Sequence, residues 1–133
     1  MSMQLRVESL RFVDQRVVLA LKRVGVSGLW ELVELALTAR ERRRLALAAG
    51  VGEGDILKLV RIADMCRATE LELAELLIEA GVHTPLELPL RPTEVVYQLA
   101  VETAAKLCAT PPSRGEIEAA QRRALKLTPL FDY

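Results

Sequence analysis

Histidine is almost missing from this chain: His83 stands alone among 133 residues. A site built on several imidazoles is therefore excluded, and neither cysteine has a histidine near it in sequence or any metal-ligand spacing. Cys66 and Cys108 are the only cysteines. Both fall in segments that read as amphipathic helix, so two buried, reduced thiols are expected rather than a disulfide. Asparagine is absent, and lysine occurs only at 22, 58, 106 and 126. That arginine-heavy balance suits a high-GC or thermophilic source. No stretch approaches the roughly 20 apolar residues of a membrane span. Arg6, Glu8, Arg11 and Asp14 interrupt the N-terminal region before an apolar run forms, so no signal peptide is expected and the cytoplasm is the expected location. There is no Gly-rich Lys-Ser/Thr phosphate loop and no dinucleotide fingerprint. Excess charge is missing too: the formal net charge is zero, which argues against a dedicated binder of duplex nucleic acid. The expectation is a chain with no enzymatic activity, no cofactor and no metal.

What remains is apolar and helix-forming. Apolar residues make up 51% and charged residues 27%, a balance that supports one domain, or two intimately packed halves. The organising stretch is Thr38 to Cys66. Thr38 and Glu41 form a capping box, and Ala39 to Ala49 holds no Gly, Pro or β-branched residue. Gly50 ends that helix. After Gly52 and Gly54, Ile56, Leu59, Val60 and Ala63 recur at helical spacing. Further helices are expected from Gln15 to Val24, capped by Asp14, and from Gly28 to about Leu37, capped by Ser27 and carrying Trp30 into the core. Others run from the Thr69/Glu72 box to Ala80, through one turn after Thr84-Pro85, from Pro92 to Cys108, and from the Ser113/Glu116 box to about Leu127. Met1 to Val13, with Leu5, Val7, Leu10 and Phe12, fits neither a helical nor a strand period. The expected fold is all-α: seven or eight short helices in two helix-hairpin-helix-like halves, about 10–66 and 67–127, followed by an apolar C-terminal tail. A degenerate repeat supports the halves, since Gly25-Val26-Ser27 to Leu32 aligns with Gly81-Val82-His83 to Leu88, and Gly54-Asp55-Ile56 with Gly115-Glu116-Ile117. The alignment gives His83 a helix-start position, opposite Ser27, rather than the role of a general base.

Leu45, Ala48, Gly50-Val51-Gly52 and Ile56 are similar to a helix-hairpin-helix turn. The ordered series Leu21-Lys22-Arg23-Val24-Gly25-Val26, Ala49-Gly50-Val51, Arg61-Ile62-Ala63-Asp64-Met65, Leu76 to Val82, Leu86-Glu87-Leu88, Pro112 and Glu116-Ile117 resembles an uncharacterised bacterial and archaeal domain family of helix-hairpin-helix-like repeats. The resemblance covers roughly residues 10 to 127. It implies a fold and brings no established activity.

Two functions compete. In a nucleic-acid-binding module, the amides of Gly50, Val51 and Gly52 meet a phosphate, with Arg40, Arg42, Arg43 and Arg44 adding charge. Glu53 and Asp55 oppose that reading, because carboxylates at the same helix start compete for those amides. In a protein-interaction or self-association module, apolar helix faces and the tail residues Leu130, Phe131 and Tyr133 carry the contact, with an unidentified protein or a second copy as the partner. Charge neutrality favours the interaction module. The tail itself either folds back on its own core or docks on a neighbour.

Overall fold

The computed structural model describes residues 6–133. Among these the chain is all-helical: seven α-helices, two 3-10 turns and one isolated bridge between Arg6 and Gly28. The helices are α1 (Gln15–Arg23), α2 (Leu29–Leu35), α3 (Ala39–Ala49), α4 (Glu53–Met65), α5 (Leu71–Glu79), α6 (Thr93–Lys106) and α7 (Arg114–Ala124). Two compact units result. The first is Met1–Ala63 together with Leu130–Tyr133, and the second is Asp64–Pro129.

In the first unit α1 and α2 both pack on α3. Asp14 caps α1 as expected, its carboxylate accepting the Arg16 amide at 2.9 Å. Val17, Val18 and Leu21 form the buried stripe of that helix. The irregular N-terminal segment is extended at Arg6 and then makes a 3-10 turn, Val7–Ser9, that buries Val7 and Leu10. Leu5 lies outside the described residues. Ser27 does not cap α2. Gly28 holds the N-cap position with no side-chain bond, and Ser27 instead donates its hydroxyl to Glu31 at 3.3 Å. Trp30, expected in the core, is 46% exposed. The inward stripe of α2 is Leu29, Leu32 and Val33, and Trp30, one residue past Leu29, turns about 100° away from it.

In the second unit α5 and α7 both pack on α6, and α7 also packs on the 3-10 turn Leu88–Leu90. The Ser113/Glu116 capping box forms in both directions. The Thr69/Glu72 box does not form, and α5 starts after Glu70. Thr69 is still bonded to the end of α4, its amide reaching Met65 O at 3.3 Å, so the next helix can begin only one residue later. The turn after Thr84 keeps the expected bond, Glu87 N to Thr84 Oγ1 at 3.3 Å, without becoming a helix. Pro89 removes an amide there, and only a 3-10 turn follows. Cys108 is exposed rather than buried, because it takes a left-handed conformation (φ +54°) just past the end of α6. Burial in α5 runs through six consecutive residues, Leu73 to Ile78, including Glu75.

The two Gly-Val turns adopt one geometry. Gly25 and Gly81 have φ of +86° and +95°, and Val26 and Val82 each donate back to a carbonyl five residues earlier at 2.9 Å. Ser27 and His83 each send a backbone amide to a glutamate four residues on, Glu31 and Glu87. Gly50 shares the positive φ, at +73°, with open space where a Cβ would sit. Gly50→Ala therefore carries only the conformational penalty of a left-handed L-residue and is expected to destabilise the fold by about 1–2 kcal/mol. Gly54 lies inside α4, also with open space around it. Gly54→Ala is expected to stabilise by about 0.5 kcal/mol. Urea titration of the two variants should move the midpoint in opposite directions.

Candidate functional site

The glycine turn joins α3 to α4. The Gly50 and Val51 amides both donate to Ala46 O, at 2.9 and 3.0 Å, closing the end of α3. The Gly52 amide donates to Asp55 Oδ2 at 3.1 Å. This is the reach that Glu116 makes to the Ser113 amide at the start of α7, at 3.2 Å. All three amides of the turn are thus satisfied within the chain. A phosphate docking on any of them would have to displace a bond already made.

The four arginines of α3 part company because successive side chains on a helix are about 100° apart. Arg40 and Arg44 are exposed. Arg43 pairs with Glu53 at 3.3 Å on the surface. Arg42 lies on the buried face with Leu45 and Ala46 and is only 5% exposed. Its guanidinium donates to two backbone carbonyls, through Nη1 to Ala36 O at 3.0 Å and through Nη2 to Asp132 O at 2.6 Å. Of the seven residues expected to meet a phosphate, Arg40 and Arg44 are the two that stand outside these interactions and project into solvent. Other exposed cations lie far along the sequence: Arg122, Arg123 and Lys126 line a shallow cleft of about 500 Å³ with Leu125.

Beside the turn, Val17, Leu19 and Ala20 of α1 face Gly50, Val51 and Gly52 across a groove of about 550 Å³. Asp14, Arg16, Arg23 and Asp55 line its edges, so the groove carries both signs of charge. The Arg16 amide, and then its guanidinium, hold the Asp14 carboxyl below its ordinary range.

The tail folds back on the first unit. Phe131 is buried, while Leu130 and Tyr133 are 38% and 45% exposed. The Asp132 amide donates to Leu37 O at 2.9 Å, and Arg42 donates to the Asp132 carbonyl. The Tyr133 ring lies 5.8 Å from that of Phe131, with the Arg42 and Arg61 guanidinium carbons 5.5 and 6.0 Å from its centroid. Sequence reasoning misses Arg42 as the centre of this arrangement. The signal that could have found it is its spacing, three and four residues ahead of Leu45 and Ala46 in the apolar stripe.

The second unit has its own polar centre. Gln121, buried on α7, accepts the Thr93 hydroxyl at 2.6 Å and donates to Leu88 O and Arg91 O at 3.0 and 2.9 Å. Asp64 and Arg67, a pair at the end of α4, form a 2.7 Å ion pair, and Arg67 also donates to Thr128 O at 2.5 Å. Burial, and then the Glu75 carboxylate, push the Cys66 thiol up to about 12, so the group stays protonated at neutral pH. Among the described residues no three His, Cys, Asp or Glu side chains gather in a metal-binding group, and no helix is long and apolar enough to cross a membrane.

The family described as Domain of unknown function (DUF4332) matches residues 13–126. The chain belongs to this family. The match spans both Gly-Val turns, the Gly50–Gly52 turn, Arg42 and Gln121, and stops short of the tail. No curated protein and no solved structure matches the chain.

Proposed function

We propose that this DUF4332 member is a non-catalytic helical module whose partner is a protein, another copy of itself included. The observation that carries the reading is Trp30, the single tryptophan, left 46% exposed on α2. Tryptophan is enriched where binding energy concentrates, because a large rigid ring gains contact area at small entropic cost. Leu35, at 48% exposure, gives the same helix a second apolar side chain in solvent.

Nucleic-acid binding through the Gly50-Val51-Gly52 turn stands second. The hydrogen bonds within the turn and the burial of Arg42 weigh against it, while Arg40, Arg44 and the cations along α7 keep it in play.

One pair of measurements decides. In sedimentation velocity from low to high micromolar, the chain is expected to self-associate, and Trp30→Ala is expected to weaken association about tenfold, the loss of one good aromatic anchor. In a titration against labelled duplex and single-stranded DNA, no binding is expected at micromolar protein. Affinity that falls steeply with salt, as phosphate contacts require, and that drops in Arg43→Ala/Arg44→Ala or Arg122→Ala/Arg123→Ala, would replace the proposal with the nucleic-acid reading.

A further inference from the structure

The tail occupies a cradle that holds a peptide segment by its backbone. Its base is Arg42, whose guanidinium is fixed from below by Ala36 O and points its second nitrogen at the Asp132 carbonyl. One wall is the Leu37 carbonyl, which takes the Asp132 amide. A site that engages both the carbonyl and the amide of one residue reads backbone, as an exposed strand edge does. Side-chain choice comes from the flanking positions: Phe131 is buried, and Tyr133 lies near Phe131 and the cations Arg42 and Arg61. The cradle therefore selects a segment with two aromatics separated by one residue.

The Leu130–Tyr133 segment is only partly covered. Phe131 is its one buried ring, while Leu130 and Tyr133 reach into solvent. Half-exposed segments can open locally at a free energy below that of global unfolding. When two copies meet with both tails open, each can fill the other's cradle. The interactions broken within each chain are remade across the pair, so the exchange costs only the entropy of association. That is why reciprocal exchange of an identical element is an inexpensive route to a two-fold dimer.

We propose that the Arg42 cradle receives the Leu130–Tyr133 segment of a second copy, so that the tail is an exchangeable strap between protomers. The inference rests on the protein-interaction reading and names its partner and the segment recognised. In a single chain the tail competes for its own cradle, so a free peptide sees only the fraction of molecules that are open.

The probe is a fluorescein-labelled peptide with the sequence of residues 127–133, titrated by anisotropy into two full-length proteins, the natural chain and Phe131→Ala/Tyr133→Ala. The variant lacks the anchors of its own tail and leaves the cradle open. The peptide is expected to bind the variant at least about tenfold more tightly than the natural chain. A peptide with alanine in place of the Phe131 residue is expected not to bind. In sedimentation velocity the natural chain is expected to form dimers that the tail variant does not. Circular dichroism checks that the variant is folded; if it is not, Tyr133→Ala alone takes its place, since that ring is largely outside the core. No saturable binding to the folded variant, equal affinity for both proteins, or equal binding of the alanine peptide would overturn the proposal. So would a natural chain that stays monomeric at high micromolar concentration. A chain that self-associates through Trp30 while ignoring the peptide loses the strap and keeps the interaction module. Salt-sensitive DNA binding would replace the module's proposed function, while the peptide titration still decides the strap.

Discussion

Arg42→Ala is expected to destabilise the fold by about 4 kcal/mol, because two hydrogen bonds from a charged donor, each worth about 1.5–3 kcal/mol, disappear at once. The Ala36 and Asp132 carbonyls lose their guanidinium partner, and the tail keeps only the Leu37 bond at Asp132. Arg42→Lys should recover less than half of the loss. A single ammonium lacks the planar fork that reaches two carbonyls in fixed directions. Arg43→Ala, removing an exposed pair with Glu53, should cost no more than about 0.5 kcal/mol. Denaturant titration of the three variants checks the ranking, and limited proteolysis after Leu130 should accelerate only in the two Arg42 variants. Equal costs at Arg42 and Arg43 would mean that the buried guanidinium does not hold the tail.

The second large effect is expected at Gln121. Its side chain connects α7 to the Leu88–Leu90 turn and to the start of α6 through three hydrogen bonds. Gln121→Leu keeps the volume and removes all three. The Leu88 and Arg91 carbonyls and the Thr93 hydroxyl are left without this partner, for a loss of about 3 kcal/mol at about 1 kcal/mol per bond. Thr93→Val, which removes one of the three, should cost about 1 kcal/mol. The double variant should cost clearly less than the sum, because the two changes share a bond. Hydrogen exchange should show the amides of Leu88, Leu90 and Arg91 opening first. Additive costs in the double variant would argue that Thr93 and Gln121 act independently.

Much of the helical order is legible in the sequence because it depends on local rules. Asp14 and Ser113 cap where their positions predict, and Gly25, Gly50 and Gly81 end or reverse segments by positive φ. These are features of a few adjacent residues. Differences arise where a neighbouring element competes for the same groups. Thr69 cannot cap α5 while its amide closes α4, and Ser27 gives the cap position to Gly28. Trp30 and Cys108 read as core from residue type, but Trp30 is rotated off the buried stripe of α2 and Cys108 lies past the end of α6, neither of which residue type reveals. At the candidate site the competition between Asp55 and a phosphate for the turn amides is visible as composition, and the hydrogen bond to Gly52 follows it. The cradle is not visible. Arg42 and Asp132 lie ninety positions apart, and no local pattern announces such a pairing.

The wide sequence gap between the cradle and its strap has a consequence for biosynthesis. A nascent chain presents Ala36, Leu37 and Arg42 to the cell long before the ribosome has made Phe131. At about 5–20 residues per second, residues 64–129 take several seconds to appear. Throughout that interval the Arg42 and Leu37 groups of the first unit lack the segment that they bond in the complete fold. Under the proposed exchange, the Leu130–Tyr133 segment of a neighbouring chain on the same polysome competes for that cradle.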